Sequence, residues 1–222
     1  MSKIVDYSED QYHKIRHKEF IQSQNLINAW SEFVYLEYFK KIKNVTVLEF
    51  GGAMGHNLIY LSKYCNVFMV EPYDNGRKFA EQHGIRTAKD LSELKKMNDG
   101  KYDLILCRHV LEHLLNPSDI LKELKSLLNP SGELILVLPV ETKTEPTTNE
   151  IDFHLYCWTP RTAYNLLRTI GFNSIIWKYN YFTGKRIFLP LYKMFGVNLY
   201  RNFMKCLGRL LNANELIIRA KQ

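Results

Sequence analysis

The stretch that most constrains this chain is Val45 to Gly55, V-T-V-L-E-F-G-G-A-M-G. Val45, Val47, Leu48 and Phe50 form a short run of β-branched and large apolar residues without helical spacing, which predicts a buried strand. Gly51-Gly52 breaks it, and a helix is expected from about Gly55 to Tyr64. A strand, a glycine turn and a helix form the nucleotide-binding corner of a doubly wound α/β sheet, where glycines let a ligand approach the backbone. Glu49 stands at the carboxyl end of the strand, giving E-x-G-x-A-x-G over Glu49, Gly51, Ala53 and Gly55. A dinucleotide-binding turn would also carry an acid about 20 residues further on, and Glu71 meets that rule.

The first block resembles the first motif of class I S-adenosylmethionine (SAM)-dependent methyltransferases. The second block is more specific. Tyr102 to Pro139 resembles the Y-D-x-I-x-x-x-x-V-L-E-H-L-x-x-P and L-x-P-x-G-x-L stretch of the small-molecule members of that class. The resemblance implies a Rossmann-like methyltransferase fold: a doubly wound, mostly parallel sheet of seven strands, with N-terminal helices and an insertion before the last strand. Length fits this, because a 222-residue chain leaves little room for the separate substrate domain of a dehydrogenase.

Residues 1–43 read as an N-terminal helical extension of two helices, and residues 44–222 as the methyltransferase domain. In the family such an extension closes the cofactor pocket, which makes Tyr12, His13 and Arg16 candidates for the lid. Strands are expected at 45–50, 66–71, 85–88, 102–107, 133–138, 173–179 and 215–219. Helices are expected at 74–83, 110–115 and 118–128, and another begins at Thr159-Pro160, an N-cap followed by proline at the first helical position. Asn129 to Gly132 reads as a turn. Residues 184–212 mix apolar, aromatic and basic side chains. They read as a lid or a homodimer surface over the substrate cleft, or as a segment touching a membrane surface.

The resemblance implies cofactor contacts at Glu49, Gly51, Gly52, Ala53, Gly55, Asn57, Glu71, Pro72, Asp90, Leu91, Cys107 and Arg108. Glu71, at the end of the second strand, would accept both ribose hydroxyls. Asp90 would reach the adenine amine, although D-L-S-E also fits a helix cap. Near the methyl group stand His109, Glu112, His113 and His154. His109 and His113, four apart, would share a helical face. One reading makes His113 or His154 a general base. The other gives Glu112, His113 and His154, alone or together with His109, to a divalent metal; His109 stands beside both as a candidate catalytic residue. The small-RNA 2′-O-methyltransferases and some quinone-pathway O-methyltransferases carry E-x-x-E-H. Here His109 replaces their first Glu, which suits a softer metal than magnesium.

Net charge of +7 favours anionic partners, but no RNA-binding module is recognisable, so nucleic acid is not the expected partner. The expected acceptor is an oxygen of a small, polar, sugar-containing or phosphorylated molecule. An RNA 2′-O-methyltransferase and a cofactor-binding, non-catalytic partner subunit are the alternatives. Cys65, Cys107, Cys157 and Cys206 lie far apart and lack a C-x-x-C pair. They point to reduced thiols and a cytoplasmic setting.

Overall fold

The structure, a computed structural model, describes residues 23–39, 42–98, 100–141, 154–183 and 186–222. The seven strands are β1 (Thr46–Phe50), β2 (Asn66–Val70), β3 (Arg86–Ala88), β4 (Tyr102–Arg108), β5 (Leu128–Pro139), β6 (Ser174–Tyr181) and β7 (Asn214–Lys221). They form one sheet in the order β3-β2-β1-β4-β5-β7-β6. Strands β1 to β5 are parallel, and β7 runs antiparallel to both β5 and β6. The expected seven-stranded, mostly parallel sheet is therefore present. Its inner strands are apolar on both faces because helices cover both. Leu48, Ile105 and Leu136 pack into the core on one side, and Val47, Leu106 and Val137 on the other.

The helices are α1 (Gln24–Glu37), α2 (Asp74–Glu81), α3 (Leu91–Met97), α4 (Pro117–Leu127), α5 (Pro160–Ile170) and α6 (Leu189–Leu210). Helix α5 starts and stops where its sequence says. Thr159 and Thr162 form a capping box, Pro160 follows the cap, and Gly171 closes the helix at φ +96°. Helix α1 belongs to the N-terminal extension. Trp30, Phe33, Val34 and Tyr38 bury against the sheet, while Leu26 and Ala29 pack against Leu189, Tyr200 and Met204 of α6. The second expected N-terminal helix and the lid candidates Tyr12, His13 and Arg16 lie outside the described residues.

Three expectations change. No regular helix follows the glycine turn: residues 53–60 form turns, and only a 3₁₀ helix over Leu61–Lys63 follows. Ala53 and Gly55 adopt left-handed φ of 51° and 69°, which interrupts helical propagation. The loop after β4 holds a 3₁₀ turn at Leu111–His113 rather than a helix over 110–115, because His109 enters at φ 51°. The expected turn at 129–132 lies within β5, beside a break in register between Tyr102 and Leu104.

Candidate active site at the carboxyl edge of the sheet

Because β1 to β5 are parallel, the segments that follow them share one edge of the sheet. Glu49 is fully buried there. Its Oε1 accepts from Asn57 Nδ2 at 2.5 Å, and Asn57 Oδ1 accepts from Trp30 Nε1 of α1 at 2.8 Å. Its Oε2 is buried without a hydrogen bond. Burial, only partly offset by the Asn57 bond, pushes the Glu49 carboxyl up to about 8.

The glycines of the turn serve packing more directly than expected. A Cβ on Gly51, whose φ is +73°, would stand 2.3 Å from Val110 Cγ2. A Cβ on Gly52 would stand 2.5 Å from Met69, and one on Gly55 2.8 Å from Ala80 and Ile85. These glycines hold the turn against β2, α2 and the loop after β4. That contact sets Val110, and with it the segment from His109 to His113, beside the turn.

Glu71 is buried just beyond β2. Its Oε2 accepts from the Ala53 amide at 2.8 Å and its Oε1 from the Tyr73 amide at 3.2 Å, tying the two loops together. Asp90 Oδ1 caps α3, accepting from the Glu93 amide at 2.8 Å and from Ser92 Oγ at 2.6 Å. The capping role weighed for D-L-S-E is therefore present, and Leu91 beside it is buried. Cys107 lies inside the core, where burial raises its thiol pKa.

Arg108 faces the opposite side of β4 from Cys107. Its guanidinium lies 5.1 Å from the Trp30 ring centroid and donates to Glu215 Oε2 at 3.2 Å. Glu215, the second residue of β7, also accepts from Tyr38 Oη, from Asn180 Nδ2 at 2.9 Å, and from His109 Nε2 at 3.4 Å. Burial opposes ionisation of Glu215, but Arg108 and His109 outweigh it and hold the carboxyl near 2. Burial and the Arg108 charge push His109 below the usual imidazole range. Glu215 and Tyr38 are site residues that sequence reasoning missed. The visible signal was an acid near the start of an apolar strand.

The loop after β4 brings Glu112 and His113 to His154. One ligand atom from each lies within 4.8 Å of the others. The His113 and His154 rings meet edge to face at 4.7 Å. Glu112 is fully buried, neither carboxylate oxygen has a hydrogen bond, and burial pushes it up to about 7. His154 Nδ1 pairs with Glu141, which sequence reasoning also missed. Glu141 follows β5 by two residues and accepts from Cys157 Sγ at 2.8 Å. Burial opposes its ionisation, but these two bonds hold its carboxyl low. The Leu155 amide donates to the Glu112 carbonyl at 2.7 Å, locking the two loops together. His109 and His113 do not share a helical face. His109 turns to Glu215 and His113 to His154, because a 3₁₀ turn separates them.

Comparisons with known proteins agree with this architecture. Residues 17–179 match the family model described as a methyltransferase domain. A thiol S-methyltransferase of Mus musculus is 29% identical over 114 residues, covering 44% of this chain and 47% of the relative. A ubiquinone biosynthesis O-methyltransferase of Actinobacillus pleuropneumoniae is 35% identical over 72 residues, covering 29% of this chain and 31% of the relative. The matched region thus spans about half or less of these curated relatives. Among solved structures, a SAM-dependent methyltransferase of Thermotoga maritima superposes with TM-score 0.66 at 14% identity, covering 96% of this chain and 99% of that one. The plantazolicin methyltransferase BamL, solved with a triazolic substrate analogue and S-adenosylhomocysteine (SAH), gives 0.62 at 15% identity, covering 98% and 92%. At such identities these structures speak for the fold.

Proposed function

Because the chain belongs to the methyltransferase-domain family, we propose that it transfers a methyl group from SAM to an oxygen of a small polar acceptor. When bound, the cofactor supplies an electrophilic methyl on a sulfonium, and the acceptor oxygen displaces the thioether in line. Two features of the chain suit that ligand. Glu71 is a buried acid at the carboxyl end of β2, where the ribose hydroxyls would lie, and Glu49 Oε2 is a buried polar atom that still needs a partner. Pro72, Asp90 and Leu91 line the adjoining loops and complete the proposed cradle with the glycine turn.

The observation that carries the reading is the convergence of Glu112, His113 and His154 at the carboxyl edge. The Glu141 carboxylate only accepts, so in the neutral His154 ring the pairing favours the proton on Nδ1 and leaves the lone pair on Nε2. That nitrogen can take the acceptor's hydroxyl proton as the C–O bond forms, a contribution of about 10² to 10⁴-fold. Glu141 acts through His154 and is a positioning residue.

A second mechanism rests on the same cluster. One carboxylate and two imidazoles are a donor set that suits a divalent transition metal, and Glu112 is a buried acid without a hydrogen bond. Such an ion would lower the pKa of the acceptor hydroxyl. Turnover measured with and without chelator separates the two. Loss of turnover on chelation, restored by Mn²⁺, Fe²⁺ or Co²⁺, selects the metal. Insensitivity to chelator, with loss of turnover in His154→Ala, selects the base. Full turnover in the His113→Ala/His154→Ala double variant without chelator sensitivity refutes both.

A further inference from the structure

The insertion between β6 and β7 leaves a face for which the methyl-transfer reading gives no role. Helix α6 bends at Gly196, which takes φ 75° and ψ 179°. Beyond the bend, Tyr200, Met204 and Gly208 are buried at four-residue intervals, with Tyr200 and Met204 in the cluster that α6 shares with α1. A second stripe runs along the helix at Leu199, Phe203, Cys206 and Leu210. These positions fall at i, i+4, i+7 and i+11, so they share one face. All four are exposed, Leu210 at 78%. Ile187 and Leu211 are exposed just outside the two ends of α6, and Met194 and Phe195 are exposed just before its bend. An amphipathic helix normally buries one apolar stripe; this one has a second stripe that faces water.

The charge around the stripe indicates its partner. From residue 185 to 214 the sequence has no Asp or Glu but has Lys185, Arg186, Lys193, Arg201, Lys205 and Arg209, and the acids of α1 that meet α6 are Glu32, at Tyr192, and Glu37, at Lys205. Lys193 and Arg209 are exposed on α6 itself. Lys205 and Lys178 both pair with the buried Glu37 of α1, so one carboxylate meets two cations. A second copy docked on this stripe would set basic helix against basic helix. An anionic lipid surface offers apolar depth to the stripe and negative charge to its flanks.

We propose that the outer face of α6 docks on an anionic membrane surface, with Leu199, Phe203 and Leu210 entering the headgroup–acyl boundary and Lys193 and Arg209 contacting lipid phosphates. The helix lies in the plane of the interface; no described helix is long and apolar enough to cross a membrane. Strand β6 runs parallel to β5, so α6 leaves from and returns to the sheet edge that carries the candidate site. Docking holds that edge close to the lipid.

The test is flotation of the full chain with vesicles of phosphatidylcholine alone or mixed with phosphatidylglycerol. The chain floats with the anionic vesicles at low salt, and added salt releases it. Lys193→Gln/Arg209→Gln weakens binding about 25-fold, about fivefold per basic residue near an anionic surface. Leu199→Glu/Phe203→Glu abolishes flotation while its circular-dichroism melting curve matches that of the parent. Failure to float at low salt overturns the proposal, as does full binding by the Glu variant. It is also overturned if gel filtration shows a dimer that the Glu variant makes monomeric and vesicles capture neither form.

Discussion

Glu49→Gln should stabilise the fold, by an amount that depends on pH. The carboxyl is fully buried, keeps one hydrogen bond from Asn57, and titrates at about 8 in the folded chain against an ordinary 4.5. Its folded pKa is raised. The fold therefore suffers no penalty from this group below pH 4.5 and loses stability as pH rises from 4.5 through 8. At pH 7 the unfolded carboxyl is ionised and the folded one is mostly protonated, a difference of about 3 kcal/mol. Glutamine has nearly the same shape, is always neutral, and can still accept from Asn57. Its amide replaces the protonated oxygen, so no new buried donor arises. Urea unfolding should show the variant equal to the parent at pH 4 and about 3 kcal/mol more stable at pH 7, a midpoint shift of about 1 M for a chain of this size. A difference that does not change with pH, or a variant less stable at pH 7, would refute the reasoning.

Gly51→Ala should destabilise by about 3 kcal/mol or more, because its Cβ meets Val110 at 2.3 Å and φ is +73°. Gly196→Ala meets open space but sits at φ 75° and ψ 179°, a region nearly confined to glycine, so thermal unfolding should show a loss of about 1–3 kcal/mol from backbone strain alone. Glu215→Gln should cost about 3–5 kcal/mol at pH 7, because Arg108 loses its buried partner. That group's folded pKa is depressed, so the gap should close as pH falls from 4.5 through 2, read as converging urea midpoints.

Much of the fold was legible because its strands are short apolar runs punctuated by glycine, proline and acids. The turn from Gly51 to Gly55 and the segment from Tyr102 to Pro139 carried the fold class and the sheet edge where the site lies. The helix expected after Gly55 failed because local periodicity cannot register two left-handed residues, nor an Asn57 side chain turned inward to Glu49. The cluster of Glu112, His113 and His154 was foreseen because both loops leave the same edge. Glu141, Tyr38 and Glu215 were not, because their partners lie 13 to 177 residues away and are chosen by packing. The packing at the glycines was not legible, because the space their missing side chains leave is filled by Val110, Met69, Ala80 and Ile85, residues well separated from them in the sequence.

Calorimetric titration of the parent chain and Glu71→Ala with SAM tests the central claim most directly. The account predicts saturable binding by the parent and a loss of about 1.5–3 kcal/mol in the variant, roughly 10- to 150-fold in Kd, since Glu71 is expected to hold the ribose hydroxyls through charged hydrogen bonds. Unchanged affinity in a folded Glu71→Ala chain would remove Glu71 from the site, and a parent that binds a nicotinamide dinucleotide but not SAM would contradict the account.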